Sequence, residues 1–387
     1  MKILFPYMAR WHAVNWSRYH SLLYALADLG HDVYVLQPPP LKSAETNFQE
    51  ITTSGHPRIR VLDVRLSAWL WELRMPLDKL FKKAYFSIAA YGTARELIVD
   101  ERIDVLLLYN IPQYRFSGIP SVKVVFDYAD DYIDMLSFEL GRIDNPLARW
   151  LASRMLQTMM DRSACTLTVS NVLARQARGN VHVLPNGVSL EKASRPPPAP
   201  IAQVTKRGKP VVGFLGAFEY FIDVDLLVDV AKAMPDAHFL FVGTGRRWRH
   251  VADRAATEHI DNLQLVGGVP HDQVFAYIRE MDVCLNTFTK LPVSHRACPI
   301  KLFEYLSQRK PVVSTRLDEL AHIDSGFLWY GDTVDETVDS IRAILAGGPQ
   351  VNERVELGYQ LTESRYTWDR IARTFAGLVE PLLGRGR

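Results

Sequence analysis

The sequence predicts an α/β protein built from two doubly wound parallel sheets. Three observations carry this. The chain has 387 residues, more than a single domain of about 100–200 residues requires. Short apolar runs alternate with amphipathic stretches, and the alternation stops once and restarts. The stop is a break at residues 194–209, SRPPPAPIAQVTKRGK, where Pro196, Pro197 and Pro198 can continue neither a helix nor a central strand.

Residues 2–7 read as the first strand. Residues 17–29 read as a helix stopped by Gly30, since glycine accepts the left-handed backbone that ends a helix. Residues 33–36 are the second strand. A strand, a helix and a strand within about 35 residues form a crossover unit, which makes the strands parallel. The pattern recurs with a helix at 89–100, strands at 105–109 and 122–126, a long helix around 146–160, and short buried strands at 165–170 and 181–184. After the break, strands are expected at 211–215, 238–242, 262–266, 283–286 and 311–314, with a helix at 225–233. Residues 367–383 form an amphipathic helix with no strand after it. The expected organisation is a first Rossmann-like domain over 1–193, a linker over 194–209, a second Rossmann-like domain over 210–365, and a terminal helix within 366–387. Two such halves leave a cleft between them, and ligands of open α/β sheets sit beyond the carboxyl ends of the strands.

Composition narrows the function. The chain is 48% hydrophobic and 23% charged, as globular proteins are. Its 45 basic and 43 acidic residues leave a net charge of +2, too small for a dedicated nucleic-acid binder. The excess is local: residues 65–83 alone carry five basic and two acidic side chains. Cys165, Cys284 and Cys298 are scattered, with no CxxC spacing, which argues against a disulfide framework or a zinc site. No run of 18 apolar residues could span a bilayer, and the short apolar start does not resemble a signal peptide. A cytoplasmic protein is expected. No GxGxxG follows the first strand, which argues against a dehydrogenase.

The most specific motif is Pro299-Ile300-Lys301-Leu302-Phe303-Glu304-Tyr305-Leu306, followed by Lys310-Pro311-Val312-Val313-Ser314. A helix N-terminus attracts phosphate, an ammonium on its first turn adds a point charge, and a carboxylate three residues on can accept hydrogen bonds from vicinal hydroxyls. Val212-Gly213-Phe214-Leu215-Gly216 and Val242-Gly243-Thr244-Gly245-Arg246 are strands that end in glycine, where backbone can approach a ligand closely. In the first half, Asp127, Asp130, Asp131 and Asp134 follow a buried strand. Clustered carboxylates raise one another's pKa, which suits a general base; the alternative is an aspartate capping the next helix. Residues 66–91 interleave Trp69, Trp71 and Phe81 with Lys79, Lys82 and Lys83, as a membrane interface would; the alternative is helices packing on the first domain's core with their lysines in water.

The 299–314 block resembles the donor-site helix of GT-B glycosyltransferases, in particular glycosyltransferase family 4 and the bacterial polysaccharide enzymes of the teichuronic-acid and xanthan-glucuronosyltransferase type. The opening, with Trp16-Ser17-Arg18 and Leu29-Gly30-His31-Asp32-Val33, is similar to the same group, as is the order Asn262-Leu263, Gly267, His271, Tyr277, Asp282-Val283. The resemblance implies a GT-B fold whose terminal helix crosses back to the first domain. It implies a donor site at Gly216, Gly243, Ile300, Lys301 and Glu304, with Lys301 on the diphosphate and Glu304 on the ribose. It implies an acceptor side with Trp16 and Arg18, and Asp130, or Asp131 beside it, as the base. Two departures stand out. The acid that many family 4 members carry eight residues before Glu304 is Arg296 here, and no base follows the first donor strand in Ala217-Phe218-Glu219-Tyr220-Phe221. Arg246, His295 or Arg296 would then supply the missing positive charge.

The implied activity moves a sugar from a nucleotide-diphosphate sugar to a glycan or lipid-linked acceptor. UDP is favoured by its frequency in such pathways, with no bound cofactor and no metal expected. The implied location is cytoplasmic, peripheral on the inner face of the cell membrane through residues 66–91. Two other readings stay open at this stage. A sugar-nucleotide 2-epimerase of the same fold would convert the donor alone, and a non-catalytic nucleotide- or glycan-binding protein would bind without turnover.

Overall fold

In the computed structural model the described residues are 1–12, 16–39, 55–72, 78–139, 145–197, 201, 204 and 208–384. The chain divides into two units: Met1–Pro185 with Asp369–Arg387, and Asn186–Trp368. The division thus comes before the expected linker, whose residues 198–200, 202–203 and 205–207 lie outside the described ones. The helix Leu190–Ser194 already belongs to the second unit.

The first unit holds seven strands: β1 (Lys2–Pro6), β2 (Asp32–Gln37), β3 (Ile59–Asp63), β4 (Val105–Leu108), β5 (Lys123–Tyr128), β6 (Cys165–Thr168) and β7 (Val181–Val183). They form one parallel sheet in the order β3-β2-β1-β4-β5-β6-β7. The central strands β1 and β4 are nearly continuous apolar runs because helices cover both faces of a parallel sheet. Sequence patterning did not reveal β3. It is a half-exposed edge strand, IRVLD, with no apolar run to announce it. The helix expected at 89–100 is longer, Asp78–Asp100. The terminal helix Trp368–Val379 buries Ile371, Ala372, Phe375 and Val379, one stripe at helical spacing, and from Asp369 onward it is part of the first unit.

The second unit holds β8 (Val211–Leu215), β9 (His238–Val242), β10 (Leu263–Val266), β11 (Val283–Asn286), β12 (Val312–Ser314) and β13 (Trp329–Tyr330). They are again all parallel, in the order β10-β9-β8-β11-β12-β13. The two-residue β13 is too short to show a period in sequence.

In both sheets the strand order reverses once, between β1 and β4 and between β8 and β11. At such a point helices leave to opposite faces, and a crevice opens beyond the carboxyl ends. In the second unit that crevice is shaped by glycine. Gly216, after β8, donates its N–H to Val242 O (3.0 Å), and Phe218 N donates to Thr244 O (2.9 Å). Gly243 has φ 139°, and a Cβ there would stand 1.9 Å from Gly216 O. No side chain fits without parting the two strand ends. Gly243→Ala should therefore cost on the order of 3 kcal/mol in urea unfolding. Gly267→Ala, where an added Cβ meets nothing within 4 Å, should stay within about 0.5 kcal/mol.

Candidate active site

The helix Ile300–Ser307 follows β11 and starts after Pro299, whose fixed φ suits a helix entrance. Its inner face is fastened to β8. Tyr305 Oη accepts from Leu215 N (2.7 Å) and donates to Leu215 O (3.4 Å), so one side chain satisfies both polar groups of the last β8 residue. This sets Lys301, one turn earlier, beside Gly216. A Cβ on Gly216 would stand 3.0 Å from Lys301 Nζ.

The environment of that ammonium is unusual. Part of the Lys301 stem is exposed, but Nζ is sealed from solvent and has no hydrogen-bond partner. It lies over two aromatic faces, 4.0 Å from the Phe214 ring centroid and 5.3 Å from that of Phe288. Such contacts contribute about 0.5–2 kcal/mol each, well short of the hydration lost by a buried cation. Desolvation accordingly lowers the Lys301 pKa to about 7, opposed by the nearby Glu304 carboxylate. An ammonium held this way can receive an anion that brings its own charge.

Glu304 is 5% exposed and pairs with His271 Nε2 at 3.2 Å. Sequence reading placed His271 in the family order but gave it no role; its partner lies 33 residues away, so only the fold reveals the pair. Each of the three cations expected to replace the missing donor-site base is engaged with other groups. Arg246 pairs with Glu219 (3.4 Å) and His295 Nδ1 with Asp318 (2.9 Å). Arg296 closes the short helix Pro292–His295 and is half-buried.

In the first unit the carboxylates sort into different environments. Asp127, at the end of β5, is fully buried and binds Arg18 through both oxygens, at 2.8 and 3.1 Å. Arg18, expected to face an acceptor, is instead 5% exposed and committed to this pair and to backbone carbonyls. Asp131 is 3% exposed and caps the helix Tyr132–Glu139, its Oδ1 accepting from Asp134 N (3.1 Å), so it acts as a cap where catalysis was considered. Asp130 alone of Asp127, Asp130 and Asp131 is exposed. Protein crowds it even so, and this crowding, then Asp127, raises its pKa to about 7. Solvent contact screens part of the effect. Trp16 stands nearby in sequence but faces aromatics, stacking on His20 (5.1 Å) and donating its indole N–H to Ser21 Oγ (2.7 Å).

Comparison with known proteins bears on family and fold. Residues 16–187 match the glycosyl transferase 4-like domain and residues 209–347 match the glycosyl transferases group 1 domain. The chain is 24% identical over 245 residues to the Bacillus subtilis (strain 168) protein assigned to teichuronic acid biosynthesis as the glycosyltransferase TuaH. That match spans 59% of this chain and 61% of the relative's length. Among solved structures, sucrose-phosphate synthase from Thermosynechococcus elongatus has a TM-score of 0.76 at 15% identity, covering 98% of each chain. Anabaena HepE in complex with UDP-glucose has a TM-score of 0.70 at 13% identity, covering 98% of this chain and 100% of that one.

The buried charge has a cost in the free protein. A lysine whose folded pKa lies below its unfolded value binds fewer protons when folded, so its penalty is full below about pH 7 and fades as pH rises toward the unfolded value. Lys301→Met should raise the melting temperature of the ligand-free protein at pH 6.5, with a smaller gain at pH 9. A lower melting temperature at both would contradict the reading.

Proposed function

We infer the reaction from one premise: the chain belongs to the glycosyltransferases of the GT-B fold. It moves a sugar from a nucleotide-diphosphate sugar to a glycan or lipid-linked acceptor in polysaccharide or glycoconjugate biosynthesis. The observation that carries this is the sealed, partnerless Nζ of Lys301 at the carboxyl end of β8, with the buried Glu304 one turn on. A diphosphate supplies the charge that Nζ lacks. A ribose offers Glu304 two hydroxyl donors. The UDP-glucose complex of HepE supports UDP as the nucleotide.

In the reaction the acceptor hydroxyl oxygen attacks the anomeric carbon as Asp130 takes its proton. The bond from that carbon to the diphosphate oxygen breaks, and the diphosphate leaves with the electron pair, held by Lys301. The transition state is oxocarbenium-like, and charge already in place at the leaving group lowers its energy without reorganisation. A carboxyl with a pKa near neutrality suits the base, because it is ionised at working pH yet still basic.

The acceptor side is peripheral to a membrane surface. No helix among the described residues is long and apolar enough to cross one. Within 66–91, where 73–77 lie outside the described residues, Trp69 is 72% exposed while Trp71 and Phe86 are core. The helix Pro146–Arg162 adds exposed Leu147, Trp150 and Leu151, at the i, i+3, i+4 spacing of one face, with exposed Arg154 one turn on.

Three measurements test these assignments. In calorimetry with UDP, Lys301→Ala and Glu304→Ala should each weaken binding by about 10- to 100-fold, as loss of a charge-assisted contact does. Asp130→Asn should lower kcat by about 100-fold or more with little change in UDP affinity; near-normal turnover would remove Asp130 as base. Trp69→Ser with Trp150→Ser should reduce co-sedimentation with anionic vesicles and leave UDP binding unchanged. Unchanged sedimentation would contradict the membrane assignment.

A further inference from the structure

Arg18 stands at the first position of the helix Arg18–Asp28. Its guanidinium is a hydrogen-bond hub in a buried setting. Nε and Nη2 donate to the two oxygens of Asp127, at 2.8 and 3.1 Å. Nη2 and Nη1 also donate to Leu184 O (2.8 Å) and Pro185 O (3.0 Å), the last two residues of the unit's long segment. One side chain therefore gathers the start of a helix, the end of β5 and the exit of the unit. Bidentate guanidinium–carboxylate geometry of this kind fixes both position and orientation.

Asp127 lies directly before the turn that presents Asp130. Ala129 N bonds back to Asp127 O (3.0 Å), and Tyr132 N bonds back to Asp130 O (2.9 Å), so backbone links the buried aspartate to the exposed one. We propose that Arg18 is a positioning residue for the transfer reaction: by holding Asp127 and the carbonyls of Leu184 and Pro185, it fixes the turn that carries Asp130 and offsets the carboxylate beneath it. This rests on the reading of Asp130 as the base.

Charges of both signs act on Asp130. Asp127 and Asp131 raise its pKa, while Arg18 and Lys83, the latter from the helix Asp78–Asp100, lower it; the phenols of Tyr19 and Tyr132 border the same cluster. Arg18 and Asp127 thus act on Asp130 with opposite sign. Removing either alone should displace its titration in opposite directions, and removing both should nearly restore it. A residue that merely props up the fold has no such signature.

The test is a 13C NMR titration of the Asp130 carboxyl, identified by its loss in Asp130→Asn, alongside the pH profile of kcat. Arg18→Gln should move the Asp130 midpoint up by about one pH unit or more, and Asp127→Asn should move it down by a similar amount. The double variant, a neutral amide pair of similar shape, should return to within about half a unit of the parent. The acidic limb of kcat should follow each shift. If Arg18→Gln does not fold, Asp127→Asn and the double variant still carry the comparison. Midpoints that stay put, or move the same way in both single variants, overturn the proposal. If the NMR midpoints move as expected while the limb of kcat does not follow, the positioning stands and the assignment of Asp130 as base falls.

Discussion

The second unit depends on an amine removed from water with little compensation. Lys301 Nζ sits above two phenylalanine rings, beside Gly216, where a Cβ would stand 3.0 Å away, and has no hydrogen-bond acceptor. Everything around it maintains that state. Tyr305 ties the helix to Leu215, and the interlocked Gly216 and Gly243 bring two strand ends to the same place. Folding energy from the apolar sheet sustains this unfavourable arrangement, and a bound diphosphate would relieve it. Binding energy and transition-state stabilisation then have the same source, an electrostatic environment set before the ligand arrives.

The first unit uses the opposite sign of the same device. There a carboxylate, Asp130, is crowded by protein and by a second carboxylate, which raises its pKa toward neutrality. Asp127 is matched by Arg18 and Asp131 by a helix N-terminus, whereas Asp130 alone of the three is exposed, as the proposed base requires. Its raised pKa means the folded protein holds a proton there that the unfolded chain releases between the two values. The stability this residue costs is therefore present above about pH 7 and absent in acid. Lys301 has the reverse dependence, and the two sites burden the free protein in opposite pH ranges.

Much of this was legible in the sequence, for specific reasons. Lys301 and Glu304 stand three residues apart on a short amphipathic helix, so local spacing alone puts them on adjacent turns. Gly216 and Gly243 each terminate an apolar run. Asp131 precedes a helix, and its capping role was one of two open readings. What remained hidden depends on distant pairing. The partners of Arg18, Arg246, His271 and His295 lie at Asp127, Glu219, Glu304 and Asp318, separations that no local pattern encodes. Arg18 illustrates this: the family resemblance implied an acceptor contact, whereas the fold shows a buried guanidinium bound bidentately to Asp127. The strands β3 and β13 were missed because an edge strand and a two-residue strand need no apolar run.

Lys301 should be substantially neutral in the free protein at alkaline pH and become an ammonium when a diphosphate binds. Titration calorimetry of UDP at pH 8, repeated in two buffers of different ionisation enthalpy, measures this directly. Binding should take up close to one proton, and Lys301→Ala should abolish the uptake. Proton-neutral binding, or an uptake unchanged in Lys301→Ala, would contradict the account.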